Sequence, residues 1–360
     1  MNQTKRLMIL MLVLLVGIVP AFTVSAQDPL IESVCLVTDV GKVNDGTFNE
    51  FAFDGMQAAA DDFDLESTFI ETTAQTDYAA NIQTCLDSGF DAVITVGFLI
   101  SDATLAAATD NPDVYFIGVD QGFAEPPENL VGAQFREDQS GFIAGALAAL
   151  MSESGTVAGV YGLEVVPAVV KFRNGFEQGA MYINPDISVR GVYMQSFVDP
   201  AGGAEAASQL IGDGADVIFG AGGQTGSGAI QAAAADDVYV IGVDQDEYFS
   251  TFGGGESPGA EYLISSAVKR VDQAVYLSLQ SLVEGSADEF YDEDGNRAFS
   301  AENEGVSFAP PHDADVPEEV TEQLNEILEG LKDGSIETGV DPVTGELLDM
   351  MMEATEEAGE

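Results

Sequence analysis

The chain has 360 residues, enough for two hydrophobic cores, and its 46% of hydrophobic and 20% of charged residues exclude a wholly disordered polyanion. Its formal net charge of −51 argues against nucleic acid and anionic lipid as partners, since both carry charge of the same sign. Solubility or life in high salt explains this acidity more simply than an acidic recognition surface does.

The N-terminus has the three parts of a secretory signal peptide. Lys5 and Arg6 precede an apolar stretch over residues 7–19, and Val24-Ser25-Ala26 forms a small-residue cleavage site. We therefore predict a cleaved signal peptide over residues 1–26 and export to the extracellular face of the membrane or the periplasm. An uncleaved membrane anchor is the less favoured alternative. The cleavage region contains no cysteine, so a lipid anchor is not indicated.

From residue 32 onward, short β-branched or apolar runs alternate with longer amphipathic stretches. This alternation predicts βαβ units around parallel sheets. The predicted strands are 34–38, 67–71, 92–96, 115–119, 157–161, 189–194, 217–220 and 239–243. The predicted helices are 47–61, 78–87, 102–108, 139–151, 169–182, 203–211, 228–234, 268–283 and 317–331.

An internal repeat divides this pattern into two. The sequence DVYFIGVDQ at residues 113–121 recurs as DVYVIGVDQ at 237–245, and DAVI at 91–94 is matched in the same order by DVIF at 216–219. A repeat of this length is one α/β lobe rather than a solenoid unit, so the sequence predicts two lobes of equivalent topology.

The chain continues beyond the second repeat, which indicates segments that cross back between the lobes. We predict crossings near 134–139, 261–265 and 305–309. The predicted lobes are 27–137 plus 262–304 for the N-terminal lobe and 138–261 plus 305–338 for the C-terminal lobe, followed by an acidic, flexible tail over 339–360.

Cys35 and Cys85 are the only cysteines, one in a predicted strand and one in a predicted helix of the same lobe. Two buried free thiols are the favoured interpretation, although export permits a disulfide.

Ligands of open α/β sheets bind beyond the carboxyl ends of the strands, which directs attention to the loop after the first strand. There, Thr47 and Glu50 fit a capping box, which places Asp45, Phe48 and Asn49 on the cleft side of the first helical turn. An aromatic residue at this position is equally well explained as an ordinary hydrophobic staple.

Asp120 and Asp244 end corresponding strands of the two repeats, so two lobes would bring both carboxylates to one cleft. Alternatively, each caps a turn. Between a strand and a helix lies the glycine-rich segment 220–228, which includes Gly222 and Gly223 and lacks the Lys-Ser/Thr ending of a P-loop.

Lys269 and Arg270 lie at the start of a predicted helix, where positive charge opposes the helix dipole. This placement suggests a specific partner for them, such as Asp244 or a ligand hydroxyl. A solvated surface charge is the alternative.

Catalysis finds little support in the sequence. His312 is the only histidine and cannot anchor both a triad and a metal site. The acidic segment 292–296 falls short of an EF-hand loop and is more typical of a turn. We therefore expect no enzyme, no metal and no cofactor.

These motifs together resemble the BMP (PnrA-like) family of ABC-transporter solute-binding proteins. The resemblance implies a type I periplasmic-binding fold of the α/β class, in which two Rossmann-like lobes with parallel sheets are joined by a three-strand hinge and close around a ligand. The segments that carry it are VTD at 37–39, NDGTFN at 44–49, GVD at 118–120, FREDQSGFIAG at 135–145, AGG at 221–223, IGVDQD at 241–246 and SAVKR at 266–270.

The resemblance also implies a nucleoside site, with a purine ring held between Phe48 and Phe197. The polar edge of the purine would meet Asp45, Asn49 and Asp120, and the ribose hydroxyls would meet Gly222 or Gly223, Asp244 and Lys269. The implied partner is an ABC permease in the membrane, and a monomer is expected. The chain departs from the family in lacking the lipoprotein cysteine and in Gln224, which puts the register of the glycine segment in doubt. A sugar or other polar metabolite is the alternative ligand, and a nucleoside hydrolase is the remote alternative.

Overall fold

A computed structural model describes residues 29–285, 290 and 295–348. The predicted signal peptide, most of the predicted turn at 292–296 and the last part of the predicted tail lie outside these residues.

Two six-stranded sheets form the framework. The strands in chain order are β1 (Ser33–Val40), β2 (Glu66–Thr72), β3 (Ala92–Val96), β4 (Tyr115–Val119), β5 (Leu130–Phe135), β6 (Thr156–Tyr161), β7 (Ser188–Tyr193), β8 (Val217–Ala221), β9 (Tyr239–Asp244), β10 (Leu263–Lys269), β11 (Asn296–Phe299) and β12 (Val306–Phe308). The first sheet has the order β11-β5-β4-β3-β1-β2 and the second β12-β10-β9-β8-β6-β7. The two sheets therefore share one topology, as the repeat predicts. They differ at the edge, where β11 runs parallel to β5 and β12 antiparallel to β10.

Helices follow most of the strands. They are α1 (Phe48–Phe63), α2 (Tyr78–Asp87), α3 (Ser101–Asp110), α4 (Glu137–Met151), α5 (Pro167–Ile183), α6 (Pro200–Gly212), α7 (Gly223–Ala235), α8 (Glu247–Ser250), α9 (Val271–Val283) and α10 (Glu318–Lys332). The central strands are buried on both faces, as helix-covered parallel sheets require. The largest buried apolar cluster includes residues of both halves, for example Leu36 in β1 and Val157 in β6.

The chain passes between the two sheets at three places within the described residues: after β5, after β10 and after β11. The crossings are bonded to one another, because Arg136 N donates to Phe299 O at 2.8 Å and Arg270 N donates to Gly305 O at 2.9 Å. The rings of Phe135 and Phe299 also stack at this point, 5.1 Å apart. The crossings thus form one packed hinge region.

The second crossing lies later in the chain than the sequence predicts. Strand β10 pairs with β9 in the second sheet, with Ser266 beside Gly242, and remains there as far as Lys269. Residues 263–269, assigned from sequence to the first lobe, therefore belong to the second sheet. The predicted helix from 268 begins only at Val271 for the same reason.

The expectation of free thiols is wrong, because Cys35 and Cys85 form a disulfide. Cys35 lies in β1 and Cys85 in α2, and packing of this helix on its sheet brings their Cα atoms to 5.9 Å, within the ordinary range of a bridge. Such a bridge is compatible with an exported protein.

The beginning of the predicted flexible tail is folded. Val340 is buried and pairs with Leu347 in an antiparallel bridge, while Asn174 Nδ2 of α5 donates to Gly345 O at 2.6 Å. Residues 339–348 therefore pack against the second half of the molecule, which the weak periodicity of their sequence does not reveal.

Candidate ligand-binding cleft

A cleft lies between the carboxyl ends of the two sets of strands and encloses roughly 680 Å³ of empty space, part of it open to solvent. Nine residues singled out from the sequence all line it, four from the first half and five from the second. They are Asp45, Phe48, Asn49, Asp120, Phe197, Gly222, Gly223, Asp244 and Lys269.

The loop between β1 and α1 is organised by Asp45. Its Oδ1 accepts the backbone N–H groups of Thr47 at 2.9 Å and Glu50 at 3.2 Å, and its Oδ2 accepts from Asn49 Nδ2 at 2.9 Å. The predicted capping by Thr47 is wrong, because its side chain makes no cap bond, whereas Glu50 does accept from Gly46 N. Asp45 therefore holds the first turn of α1 against the cleft.

Asp39 and Thr47 also line the cleft, although neither was assigned a site role from the sequence. Burial raises the pKa of Asp39, which accepts a hydrogen bond from the Tyr78 hydroxyl. A Cβ atom at Gly97 would lie 2.6 Å from Asp39 Oδ2, so glycine makes room for this carboxyl group. The signal that could have found Asp39 is its place at the carboxyl end of a strand.

The Thr47 hydroxyl is buried and has no hydrogen-bond partner among the described residues. A buried polar group without a partner is uncommon in folded proteins. Its position in the wall of the cleft makes it available to a ligand.

Two half-buried phenylalanines reach the cleft from opposite halves of the molecule, Phe48 at the start of α1 and Phe197 just before α6. Phe197 lies against Gly162, where an added Cβ would approach its Cε1 to 2.1 Å. Glycine at 162 is therefore required for the ring to occupy this position.

The glycine segment forms the N-terminus of α7, with Gly222 as its N-cap. Gly223 adopts a left-handed backbone conformation with φ +58°, which a residue with a side chain rarely takes. The first backbone N–H groups of a helix have no partner within it, so this segment brings hydrogen-bond donors to the cleft wall.

Lys269 is buried at the end of β10, not at a helix start as predicted. Its Nζ lies 2.6 Å from Asp120 Oδ1 and 2.8 Å from Glu137 Oε1. Its ion-pair partners among the described residues are thus Asp120 and Glu137, in place of the suggested Asp244. Arg270 points elsewhere and pairs with Asp272 at 2.8 Å.

The charges in the cleft perturb one another. Burial alone would lower the pKa of Lys269, but the carboxylates of Asp120, Glu137 and Asp244 raise it above its ordinary value. Asp244 is buried, and desolvation raises its pKa to about 7 despite the nearby Lys269. Lys269 is therefore a fixed cation, whereas Asp244 changes charge near neutral pH.

The only histidine lies outside the cleft. His312 Nε2 is 2.6 Å from Asp246 Oδ2, and its ring stacks on Tyr248 with centroids 4.0 Å apart. Within the described part of the chain, no group of three or more His, Cys, Asp or Glu residues is arranged to hold a metal ion. The same residues include no helix both long and apolar enough to span a bilayer.

Comparison with known proteins agrees with this architecture. Residues 32–333 match the family described as ABC transporter substrate-binding protein PnrA-like. The chain belongs to this family. The nucleoside-binding protein BmpA of an ABC transporter from Lactococcus lactis is 30% identical over 253 residues, covering 67% of this chain and 72% of the relative. Basic membrane protein A of Borreliella burgdorferi is 34% identical over 250 residues, covering 67% and 72%.

The crystal structure of a solute-binding protein of an ABC transporter from Aeropyrum pernix has a TM-score of 0.68 and 25% identity, covering 90% of this chain and 86% of that one. The fold is therefore the two-lobed type I periplasmic-binding fold expected from the sequence. The protein is a substrate-binding component of an ABC transporter: it acts outside the cytoplasm, binds a small ligand, works with a membrane permease and is not an enzyme.

Proposed function

We propose that the cleft binds a purine nucleoside for uptake through the permease. The observation that carries this proposal is the pairing of Phe48 and Phe197, one from each half, at the same cleft. Flat aromatic faces stabilise a heterocycle by stacking, and every base offers a π face to them. The nucleoside-binding relative from Lactococcus lactis supports the same ligand class.

The polar groups fall into two sets that match the two halves of a nucleoside. Asp45, Asn49 and Asp120 supply acceptors and an amide for the edge of a base, and the free Thr47 hydroxyl adds a further group beside them. A ribose has vicinal hydroxyls, which suit a carboxylate acceptor next to an ammonium donor.

The ribose set consists of Asp244, Lys269 and the helix terminus at Gly222. An ammonium has three N–H donors, and Asp120 and Glu137 are the two carboxylates at ion-pair distance from Lys269. One donor is left for a ligand oxygen.

The balance of charge in the cleft favours a nucleoside over a nucleotide. Lys269 is the one basic residue among those lining the cleft, and two carboxylates already neutralise it, while Asp39, Asp45 and Asp244 line the same space. A phosphate group would enter a region of negative charge without a free cation to receive it.

Calorimetric titration of the mature protein tests the proposal. The ligands are inosine, guanosine, adenosine, cytidine, inosine 5′-monophosphate, a free purine base and ribose. We expect one of the purine nucleosides to bind tightest and the monophosphate at least about tenfold more weakly, since juxtaposed like charges cost several kcal/mol and about 1.4 kcal/mol is already tenfold in affinity. If ribose alone bound as tightly as any nucleoside, the site would be a sugar site.

A matched pair of variants checks that the cleft is the site measured. Phe197→Ala removes an aromatic ring of the cleft, and Phe249→Ala removes a ring that is 63% exposed and lies outside it. Only the first should weaken nucleoside binding. Release of free base and ribose on prolonged incubation would contradict a purely binding role.

A further inference from the structure

Glu137 is a buried acid that the binding site does not use directly. It is the first residue of α4, its side chain is 1% exposed, and it is not among the residues that line the cleft. Glu137 Oε1 lies 2.8 Å from Lys269 Nζ, and Glu137 Oε2 lies 2.5 Å from Lys171 Nζ. It therefore stands between two ammonium groups, only one of which reaches the cleft.

Lys171 anchors this acid to the hinge region. It lies in α5, is nearly as buried as Glu137, and its Nζ also donates to the backbone oxygen of Phe135 at 2.7 Å. Phe135 is the last residue before the first crossing, and Lys269 is the last residue of β10 before the second. The line from Lys171 through Glu137 to Lys269 thus connects two of the crossings.

The four buried groups balance in charge. Lys171 and Lys269 carry two positive charges, and Glu137 and Asp120 carry two negative ones. Although burial alone would raise the pKa of Glu137, the two lysines hold it below its ordinary value, so this acid is a permanent anion. Removing one member of such a set leaves a buried charge uncompensated, which is strongly unfavourable.

We infer that Glu137, held in place by Lys171, is a positioning residue that fixes the direction of the Lys269 ammonium in the cleft. Asp120 alone holds the Lys269 ammonium through a single carboxylate, whose Oδ1 and Oδ2 both lie 2.6 Å from Nζ. Glu137 is the second anchor, and with both in place the remaining N–H donor points in one direction. This inference rests on the proposed function only for its binding measurement.

The lysine composition makes a direct test practical. Lysines occur at residues 5, 42, 171, 269 and 332, and only the last four lie beyond the predicted signal peptide. Mature protein labelled at the lysine Nζ and Cε atoms therefore gives an NMR spectrum of few resonances. Lys42→Arg and Lys332→Arg assign the two lysines that are not buried, and Lys171→Arg separates the buried two.

Glu137→Gln should move the Lys269 ammonium resonance, speed its hydrogen exchange and lower its pKa, because an anion that raises this pKa has gone. The resonances of Lys42 and Lys332 should not change. Nucleoside affinity should fall about tenfold or more, in line with the loss of an ordered, desolvated contact.

Asp138→Asn is the matched control, since Asp138 is the next residue, is equally buried and is also an acid. It pairs with Arg136 and accepts from the Thr338 hydroxyl, and it is not an ion-pair partner of Lys269. Loss of this acid should leave the position of the Lys269 resonance unchanged. The nucleoside affinity should stay within about twofold of that of the unsubstituted protein.

The double variant Glu137→Gln with Lys171→Gln separates positioning from stability, and it serves if the single variant fails to fold. It keeps the buried charges balanced as Lys269 and Asp120, so the fold should recover. The second anchor is still missing, so the Lys269 resonance should remain shifted and the affinity low.

The inference would be overturned by an unchanged Lys269 resonance in Glu137→Gln or by full recovery of affinity in the double variant. A shifted resonance with unchanged affinity would equally rule out a role in positioning for the ligand. If the unsubstituted protein bound none of the nucleosides, the proposed function would fail, while the NMR measurement would still decide the role of Glu137.

Discussion

Each of the two repeats has an aspartate at the carboxyl end of the equivalent strand, but the surroundings of the two carboxylates differ. Asp120 after β4 and Asp244 at the end of β9 both adopt a left-handed backbone, with φ of 60° and 65°. Asp120 is 2.6 Å from Lys269, whereas desolvation raises the pKa of Asp244 to about 7. Burial raises the pKa of Asp120 as well, against the effect of Lys269. Equivalent backbones thus carry one carboxylate that is ion-paired to Lys269 and one that has no ion-pair partner among the described residues and titrates near neutral pH.

The residues that follow show the same divergence. Gln121 is buried and its Nε2 donates to Thr95 O at 3.1 Å and Gly97 O at 3.0 Å, which fixes the end of its own sheet. Gln245 instead donates across the cleft to Thr47 O at 3.5 Å. The lesson is that a duplicated loop can keep its backbone while one copy becomes an internal anchor and the other reaches towards the opposite lobe.

In the second half, the anchoring role falls to Glu247. Its carboxylate accepts from Val243 N at 3.0 Å and from the Ser227 hydroxyl at 2.8 Å, which joins the strand that ends in Asp244 to helix α7. Burial raises the pKa of Glu247 to about 7, so this half contains two acids that titrate in the same range.

The largest expected difference between the halves is in stability. Asp120→Asn keeps a residue type that tolerates a left-handed backbone but leaves Lys269 and Lys171 with Glu137 alone. We expect the free energy of unfolding at pH 7 to fall by about 3 to 5 kcal/mol, the usual effect of breaking a buried ion pair. Urea denaturation measures it.

Asp244→Asn is the matched substitution in the other half and should raise the free energy of unfolding at the same pH, because it removes a charge that burial already disfavours. Equal losses of unfolding free energy in the two variants would show that the two carboxylates play the same role, contrary to this prediction.

The next effect is a dependence on pH. The folded pKa of Asp244 lies near 7, above its ordinary value of 3.8, so the folded state binds the proton more tightly than the unfolded state does. The stabilisation is present below about pH 4 and is lost as the pH rises towards 7, by at most about 1.4 kcal/mol per pH unit.

The groups that set this pKa besides burial are Lys269, Asp120, Glu247 and Glu137. Since Glu247 titrates in the same window, the useful quantity is the difference in stability between the unsubstituted protein and Asp244→Asn, measured from pH 4.5 to 7.5. We expect the variant to gain relative stability as the pH rises. A difference independent of pH would mean that Asp244 is ionised throughout.

A smaller effect concerns the aromatic pair. Phe197→Ala should weaken binding of a purine nucleoside by about 1 to 3 kcal/mol, the range measured when a base loses one stacked ring. Phe48→Ala should cost at least as much, because the Phe48 ring also lies 5.0 Å from Lys269 Nζ. Calorimetric titration with a purine nucleoside and with ribose separates base stacking from ribose binding, because Phe197→Ala should leave the affinity for ribose unchanged.

Much of this cleft can be predicted from the sequence, because strand ends, repeats and family motifs are local or ordered features of the chain. Asp120 and Asp244 follow directly from the repeat. The ion-pair partners of Lys269 do not, because Glu137 reaches it only after two crossings bring distant segments together. The Cys35–Cys85 disulfide was missed for the same reason: spacing along the chain does not show how α2 lies on β1.

The smallest predicted effect is that of Thr47→Val, which should slightly raise or leave unchanged the stability without ligand and should lower the affinity for a nucleoside. Its buried hydroxyl has no hydrogen-bond partner among the described residues and makes no cap bond, so Thr47→Val replaces it with a side chain of similar shape without breaking a contact. A buried polar group without a partner is unfavourable, and the ligand-free variant should be as stable as the unsubstituted protein or slightly more so. If the hydroxyl bonds the ligand, the variant should bind a nucleoside more weakly by about 0.5 to 1.5 kcal/mol, the net contribution of one hydrogen bond. Thermal unfolding with and without nucleoside measures both effects in one experiment. A loss of stability without ligand would instead show that the Thr47 hydroxyl stabilises the first turn of α1 and is not held free for a ligand.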